Sequence, residues 1–270
     1  MIDRVVQVES QRLHVARQGQ GPPVVFLHGW GASWHQWRLA LPVVARSGFC
    51  GYAPDLPGHG DSAKPPDAQG YAVDACLAGV MRWLDAERLG RFLLVGHSLG
   101  GYLSLQLALR QPERLAGLVL VNPLYTPAQL RHSPLPQGDG PARLGAWFLE
   151  HLPEWLIHLG LALNRPEASR LPPDLRRQMA RDFKRASPHI VRTISTCVDL
   201  RPDLPSIRTP ALVIWGDRDA TLNRTFYPAL VETLPNASGL CLAGAGHSPH
   251  LWDNARFCEL LLSFARRHLL

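Results

Sequence analysis

Several stretches of the chain are almost continuously apolar and rich in branched aliphatic residues. The clearest are VVFLH at 24–28, RFLLVGHS at 91–98, LAGLVLVNP at 115–123 and PALVIWG at 210–216. Continuous runs of this kind are typical of strands that are buried on both faces, as in a parallel sheet. The pattern therefore predicts these four strands, with shorter ones within 50–62 and at 238–244.

Between the strands, apolar residues recur at the spacing of one helix face, as Trp34, Trp37 and Leu41 do. Helices are predicted at about 33–46, 71–89, 99–110, 226–234 and from 251 toward the end. Strand and helix alternate along the chain. The sequence therefore predicts an α/β fold with helices on both faces of a parallel sheet.

The alternation is interrupted between residues 123 and 207. Prolines recur there, the stretches at about 142–163 and 174–198 have helical spacing, and no strand pattern fits. We therefore expect a helical insertion at 123–207 that lies over the sheet. The flanking parts, 1–122 and 208–270, are expected to form one core domain.

Composition narrows the class of protein. The chain has 270 residues, of which 46% are hydrophobic and 19% charged, and this excludes extended disorder and fibrous repeats. Its apolar runs are all shorter than the ~20 residues of a membrane helix, so no membrane span is expected. The N-terminus lacks the apolar segment of a secretory signal, so we expect a cytoplasmic protein.

Charge and cysteine content argue against two further classes. The net charge is +6, but no long basic run or nucleic-acid motif accompanies it, so nucleic-acid binding is not expected. The five cysteines are widely spaced and form no CxxC pair. Neither a metal site nor a redox motif is therefore expected, and no cofactor is indicated.

The motif that carries chemistry is Gly96-His97-Ser98-Leu99-Gly100, a G-x-S-x-G sequence between a predicted strand and a predicted helix. In that context the turn is tight enough to strain the serine backbone and hold its hydroxyl at the end of the sheet. The helix that follows directs N–H groups at the same place, which favours a developing anion. Ser98 is thus the predicted nucleophile.

A serine nucleophile needs a base and a carboxylate, in the chain order Ser, acid, His for this arrangement. His247, between the last strand and the last helix, is the predicted base; the alternative, His250, is interpreted as a partly exposed residue at a helix start. Two aspartates follow the strand at 210–216. We predict Asp219 as the acid, because it lies farther into the loop, and interpret Asp217 as a turn residue bonded to local backbone.

The oxyanion of an acyl-transfer intermediate needs two N–H donors. Leu99, directly after the nucleophile, and Trp30, in the loop after the strand at 24–28, are the predicted donors. The Trp30 ring is also expected to form one wall of the substrate pocket, with plain core packing as the alternative. His28 is interpreted as a hydrogen-bonded anchor of the same loop.

Together these motifs resemble the α/β-hydrolase superfamily. The matching segments stand in family order: His28-Gly29-Trp30-Gly31, Asp55-Leu56-Pro57-Gly58-His59-Gly60-Asp61-Ser62, Gly96-His97-Ser98-Leu99-Gly100-Gly101, Gly216-Asp217-Arg218-Asp219 and Gly246-His247-Ser248-Pro249. The resemblance implies a mostly parallel twisted sheet, a helical cap at 123–207, and a triad of Ser98, Asp219 and His247. Epoxide hydrolases and haloalkane dehalogenases of this superfamily use an aspartate nucleophile, so Ser98 argues against both activities.

Two segments, 28–31 and 256–261, are similar to those of the pimeloyl-acyl-carrier-protein methyl ester esterases. That likeness implies basic cap residues that hold an acidic carrier protein. The insertion has eleven basic and eight acidic residues, and its basic residues include Arg176, Arg177, Arg181, Lys184 and Arg185. We therefore consider an acidic carrier protein as a partner, with a merely solvated helix face as the alternative.

The expected activity is hydrolysis of small to medium, largely apolar carboxylic esters through an acyl-enzyme. The residues expected to line the pocket are Trp30, Leu124, Tyr125, Trp147, Phe148 and Trp155, with packing inside the cap as the alternative for its aromatic residues. Three other functions stay open: a C–C bond hydrolase of aromatic ring-cleavage products, a carrier-protein ester hydrolase, and a ligand-binding receptor on a hydrolase scaffold.

Overall fold

The structure is a computed structural model that describes residues 2–8, 11–130, 151, 153, 155–156 and 171–270. The described strands are β1 (Ile2–Val8), β2 (Gln11–Gly19), β3 (Pro23–Leu27), β4 (Cys50–Pro54), β5 (Phe92–His97), β6 (Leu115–Val121), β7 (Ala211–Gly216) and β8 (Ala237–Leu242). They form one eight-stranded sheet in the order β1-β2-β4-β3-β5-β6-β7-β8. Strands β1, β2 and β4 pair antiparallel, and every other pair is parallel.

Helices cover both faces of the sheet. The described helices are α1 (Leu41–Arg46), α2 (Val73–Ala86), α3 (Leu99–Arg110), α4 (Pro173–Arg185), α5 (Val191–Ser195), α6 (Phe226–Thr233), α7 (Pro249–Trp252) and α8 (Asn254–His268). Because side chains alternate along a strand, Val24 and Phe26 of β3 join one core with α1 and α8. Val25 and Leu27 join the other core, with α2, α3 and α6. The predicted fold class is confirmed.

The first two strands, β1 and β2, were not predicted. They pair antiparallel at one edge of the sheet, where Val5 and Gln7, on one face of β1, are exposed. A half-exposed edge strand mixes apolar and polar residues, so it lacks the continuous apolar run that marks the inner strands. The sequence of such a strand shows apolar and polar residues in alternation, which is a weaker signal than a continuous apolar run.

Two predicted helices are each divided in the structure. The stretch at 33–46 forms a 3₁₀ helix at Trp34–Trp37 and then α1, which has Pro42 in its first turn, where proline is tolerated. The last helix divides at Asp253, whose side chain accepts a hydrogen bond from the Arg256 N–H at 3.0 Å and so caps α8.

Between β6 and β7, the described residues contain helices and no strand. Helices α4 and α5 take the place of the single helical stretch predicted at 174–198, and Pro188 lies between them. The stretch predicted at 142–163 lies almost entirely outside the described residues. The division into a core and a cap at 123–207 stays a prediction.

The five cysteines are free thiols, and all but Cys241 are buried. Burial raises the pKa of the Cys76 thiol to about 12 and that of Cys258 to about 11, so these thiols behave as small apolar side chains. No helix in the described part of the chain has both the length and the apolar character needed to cross a membrane.

Candidate active site

Ser98 occupies a sharp turn between β5 and α3. Its φ of 53° and ψ of −113° are strained for a residue with a side chain. The turn depends on close backbone approach, because a Cβ on Gly96 would lie 2.4 Å from Gly100 O, and one on Gly100 would lie 2.2 Å from Leu27 O. The Ser98 N–H donates to Val121 O at 3.0 Å, which ties the turn to the neighbouring strand β6. The structure therefore gives Ser98 the geometry that its motif predicted.

His247 and Asp219 form a buried pair. The distance between His247 Nδ1 and Asp219 Oδ2 is 2.9 Å, and each residue is only 3% exposed. An ionised carboxylate only accepts hydrogen bonds, so Nδ1 carries the proton and Nε2 is left as the basic atom. Within the described residues, no hydrogen bond joins the Ser98 hydroxyl to His247. Such contacts often tighten only when substrate binds.

The carboxylate of Asp219 accepts four hydrogen bonds besides that of His247. The donors are Asn122 Nδ2 at 2.5 Å, Tyr227 OH at 2.8 Å, and the backbone N–H groups of Thr221 and Leu222 at 2.8 and 3.0 Å. Burial raises the pKa of Asp219, but His247, Asn122 and Leu222 outweigh it and lower that pKa to about 2. Asp219 is therefore an anion, and its position is set by neighbours on every side.

The two alternative residues have other surroundings. Asp217 is exposed, and its carboxylate accepts a hydrogen bond at 2.7 Å from the N–H of Gly244, in the next loop rather than in its own turn. His250 does lie at a helix start, in α7, but it is 1% exposed instead of partly exposed, because its ring packs between Trp37, His97 and Phe257.

The two predicted oxyanion donors lie at the ends of neighbouring strands. Leu99 is the first residue of α3, where N–H groups lack helical partners, and Trp30 follows β3. Within the described residues, neither backbone N–H donates a hydrogen bond. The Trp30 ring is half-buried against the insertion: its Nε1 donates to Ile190 O at 3.0 Å, and it packs in a T-shaped contact with the Phe183 ring, with the ring centroids 5.6 Å apart.

His28 anchors this loop, as interpreted from the sequence. Its Nδ1 contacts Gly29 O at 2.8 Å, and its Nε2 accepts a hydrogen bond from the Leu56 N–H at 2.9 Å. Burial lowers the pKa of His28, so its ring stays neutral and keeps one tautomer. It holds the loop after β3 against the loop after β4.

The residues predicted to line the pocket are placed unevenly. Leu124 and Tyr125 are buried in the core, and the Tyr125 hydroxyl donates to Phe226 O at 2.8 Å. Trp155 is 64% exposed, and Trp147 and Phe148 lie outside the described residues. Their role in substrate binding stays a prediction.

A small cavity lies beside the contact between Trp30 and helix α4. It has a volume of about 20 Å³, and its lining includes Trp30, Ser33, Gln36, Asp182 and Phe183. That volume holds about one water molecule, so the cavity is too small for an ester substrate.

One further polar cluster has a structural explanation. Polar atoms of His14, Asp55 and Asp61 lie within 4.8 Å of one another, which is close enough to suggest a metal site. However, Asp55 already accepts hydrogen bonds from the Trp34 and Asp61 N–H groups at 2.7 and 2.9 Å. His14 Nδ1 also lies 3.0 Å from Asp55, so these groups serve to hold the loop after β4.

Sequence reasoning missed three polar residues beside the site. Asn122 and Tyr227 hold Asp219, and Gln36 lies between Gly29 and His97. Asn122 could have been found from its place at the end of β6, next to the strand that carries the acid. Gln36 and Tyr227 lie within helical stretches, where no local pattern distinguishes them.

Comparisons with known proteins agree with the architecture. The family model of the alpha/beta hydrolase fold matches residues 22–254. The chain is 30% identical over 263 residues to the pimeloyl-[acyl-carrier protein] methyl ester esterase of Aeromonas hydrophila subsp. hydrophila, an alignment that covers 93% of this chain and 98% of that protein. Another alignment, of 124 residues and 46% of this chain, is 33% identical to bifunctional epoxide hydrolase 2 of Sus scrofa. It spans only 22% of that longer protein.

A solved structure shares the whole fold. The esterase from Thermogutta terrifontis superposes with a TM-score of 0.84 and covers 100% of both chains, at 20% sequence identity. At that identity the likeness concerns the fold alone.

Proposed function

Because this chain belongs to the alpha/beta hydrolase fold family, we propose that it is a serine hydrolase that cleaves carboxylic esters through an acyl-enzyme. The observation that carries the proposal is the buried pair of His247 and Asp219 together with the strained turn of Ser98. The ring of His97, the residue before Ser98, has its centroid 4.8 Å from that of His247. A base of fixed tautomer close to a strained serine is what nucleophilic acyl transfer requires.

In the proposed reaction, Ser98 Oγ attacks the ester carbonyl carbon while His247 Nε2 takes the hydroxyl proton. The carbonyl oxygen becomes an oxyanion that accepts hydrogen bonds from the N–H groups of Trp30 and Leu99. His247 then returns the proton to the departing alkoxide, and the alcohol leaves. Water attacks the acyl-enzyme with His247 again as base, the carboxylic acid leaves, and Ser98 regains its proton. Asp219 remains ionised and stabilises the imidazolium of His247 that forms during acylation and again during hydrolysis of the acyl-enzyme.

Helix α4 supports a finer proposal, that the ester is carried by an acidic carrier protein. Arg177, Arg181 and Lys184 are exposed and recur at the spacing of one helix face. The opposite face of α4 is turned inward, where Leu175 and Asp182 are buried. A carrier-protein ester is also what the printed name of the Aeromonas relative describes. In this proposal, residues 123–207 form the cap and α4 presents its basic face to the partner.

The first experiment is turnover of p-nitrophenyl esters from acetate to decanoate, with wild type beside Ser98→Ala. We expect a chain-length optimum, and a loss on the order of 10⁶-fold in turnover for the variant. A Ser98→Ala protein that keeps its esterase rate would overturn the assignment. If Ser98 is labelled by a fluorophosphonate while no ester is turned over, the two alternative functions are then tested. Hydrolysis of a vinylogous diketone tests the C–C hydrolase, and acylation of Ser98 without further turnover tests the ligand-binding receptor.

A second experiment tests the carrier protein. The triple variant Arg177→Glu/Arg181→Glu/Lys184→Glu should lower kcat/KM for a carrier-bound methyl ester about tenfold or more, because rim charges steer association. Its rate on p-nitrophenyl esters should not change. The matched control is Arg266→Glu/Arg267→Glu, which reverses two exposed charges on α8. Equal rates on the carrier substrate for wild type and the triple variant would leave α4 as a solvated face.

A further inference from the structure

A buried chain of hydrogen bonds connects the loop of Trp30 with the backbone of His247. The Gly29 N–H donates to Gln36 Oε1 at 3.0 Å, and Gln36 Nε2 lies 2.9 Å from His97 Nδ1. His97 Nε2 in turn lies 2.7 Å from His247 O. Gln36 and His97 are 3% and 2% exposed, so water does not compete for these contacts. His97 directly precedes Ser98 in the sequence, so this chain of hydrogen bonds runs next to the predicted nucleophile.

The two ends of this chain determine the direction of every bond in it. A backbone N–H only donates, so Gln36 presents its oxygen to Gly29 and its NH₂ to His97. His97 Nδ1 therefore accepts, which leaves the proton on Nε2, where it can donate to the His247 carbonyl. The path is complete with a neutral imidazole in a single tautomer. The two residues in the middle of the path, Gln36 and His97, must each accept one hydrogen bond and donate another. The side chains of glutamine and neutral histidine can both do so.

The same residues are also in close contact. A Cβ on Gly29 would lie 2.7 Å from His97 Nδ1 and 3.4 Å from Ser98 Cβ, so the loop after β3 packs directly against the nucleophile turn. On its other side, the His97 ring has its centroid 4.8 Å from that of His247. His97 thus acts as a spacer as well as a hydrogen-bonding group, and neither loop can shift without displacing it.

We propose that Gln36 and His97 are positioning residues that hold the oxyanion loop (residues 28–31) and the base loop (residues 243–248) at a set distance around Ser98. The inference rests on the function proposed above. In acyl transfer, Trp30 N–H and His247 Nε2 must act on opposite sides of one reacting carbonyl group, and a displacement of about 1 Å can cost about a hundredfold in rate. Gln36 and His97 touch neither substrate nor the transferred proton. They act through the backbones of Gly29 and His247.

The test compares substitutions that break the path with one that preserves it. His97→Phe keeps a ring but loses both hydrogen bonds, and Gln36→Met keeps the length of the side chain without its amide. Each should lower kcat on a p-nitrophenyl ester about ten- to a hundredfold, with KM within about twofold of wild type. His97→Gln offers an acceptor to Gln36 and a donor to His247, so it should regain most of the lost kcat.

A matched control separates positioning from stability. Tyr102→Phe, like the path variants, removes a buried hydrogen-bonding group, in this case a hydroxyl that contacts Val198 N and O at 2.8 and 3.2 Å. It leaves the hydrogen-bonded path from Gly29 to His247 intact. It should lose stability to urea while its kcat stays within about twofold of wild type. If His97→Gln is as slow as His97→Phe, or if Tyr102→Phe loses as much kcat as the path variants, the inference is overturned.

The double variant Gln36→Met/His97→Phe tests whether the two residues act as one unit. If they do, its loss of kcat should equal that of the slower single variant, whereas losses that multiply would contradict a shared path. The failure of the proposed function can be told apart by fluorophosphonate labelling of the wild type. No labelling at Ser98 would overturn that function and this inference with it. Labelling of the wild type together with an equal labelling rate in His97→Phe would overturn the inference alone.

Discussion

The side-chain amide of Asn122, at the end of β6, donates a hydrogen bond of 2.5 Å to the carboxylate of Asp219, in the loop after β7. Its oxygen accepts a hydrogen bond from the Gly216 N–H at 3.2 Å, which fixes the orientation of the amide. The φ of Asn122 is 40°, in the left-handed region that asparagine adopts more readily than most residues. The strand next to β7 thus supplies a neutral donor at a point where a second carboxylate would repel Asp219.

Asn122→Asp would place a second carboxylate against Asp219. At pH 7 we expect the unfolding free energy to fall by about 2–3 kcal/mol, because a donor is lost and two like charges are buried together. The pair would share a proton with a raised pKa, so the loss should shrink as the pH falls from 7 toward 4. Urea unfolding at both pH values measures it. Asn122→Ala should lose stability to the same extent at both, and the same behaviour in Asn122→Asp would contradict the prediction.

Asp219 should contribute to stability in a definite pH window. Its pKa is lowered from 3.8 to about 2 in the folded chain, so its contribution is fully present above about pH 4 and is lost as the pH falls toward 2. We expect the stability difference between wild type and Asp219→Asn to decrease by about 2 kcal/mol across that window. Urea titrations from pH 5 down to 2 provide the measurement. A difference that stays constant throughout would show that the carboxylate is not stabilised by its neighbours.

Gly100→Ala should damage the nucleophile turn. The added Cβ would lie 2.2 Å from Leu27 O and 2.8 Å from His28 O, so α3 must move away from the end of β3. Backbone atoms cannot yield as side chains do, and we expect a loss of about 3 kcal/mol in stability and at least about a hundredfold in kcat. Gly90→Ala is the control, because a Cβ there would have no atom of the described residues within 4 Å. Similar kcat values for the two variants would refute the explanation.

Asp182 should hold α4 to the loop that carries Trp30. Its buried carboxylate accepts hydrogen bonds from Ser33 Oγ at 2.5 Å and Gln178 Nε2 at 2.8 Å, and lies 3.4 Å from His35 Nδ1. Burial raises the pKa of Asp182, but these three partners outweigh it and lower the pKa overall, so the group is an anion at neutral pH.

Asp182→Asn should therefore loosen α4, because hydrogen bonds to a charged acceptor are replaced by weaker neutral ones. Hydrogen exchange of the α4 amides at pH 7 should accelerate about tenfold or more, with little change in the strands. The control, Asp174→Asn, removes an exposed ion pair between the same helix and Arg38 and should have little effect. If the two variants exchange alike, Asp182 does not hold the helix.

Much of the fold could be predicted because buried strands appear in the sequence as continuous runs of apolar residues. The apolar runs at 115–123 and 210–216 became β6 and β7 within two residues at either end. The nucleophile motif could likewise be identified locally, since its glycines and its strained serine lie within five consecutive residues. By contrast, β1 and the divided helices depended on weaker signals, namely alternation at an edge, one proline and one capping aspartate.

The pairing of Asp219 with His247 is expected from the sequence, but the other hydrogen-bond partners within the site could not be predicted from it. Asp217 and Asp219 are both aspartates in one loop, and only the packing of that loop against β8 and α6 leaves Asp217 on Gly244 and brings Asp219 to His247. Gln36 has no local feature that points to His97, 61 residues away. The roles of Ser98, Asp219 and His247 stay predictions until activity is measured.

The sequence by itself determined the α/β alternation, the place of the nucleophile turn and the residue types available for chemistry, because these depend on local burial and backbone geometry. Only the tertiary structure decided which donors surround Asp219, which atom of His97 carries its proton, and how the Trp30 loop meets α4. The physical reason is that a hydrogen bond depends on the position of two atoms. For residues far apart in the chain, those positions are set by the packing of the strand ends and not by neighbouring residues.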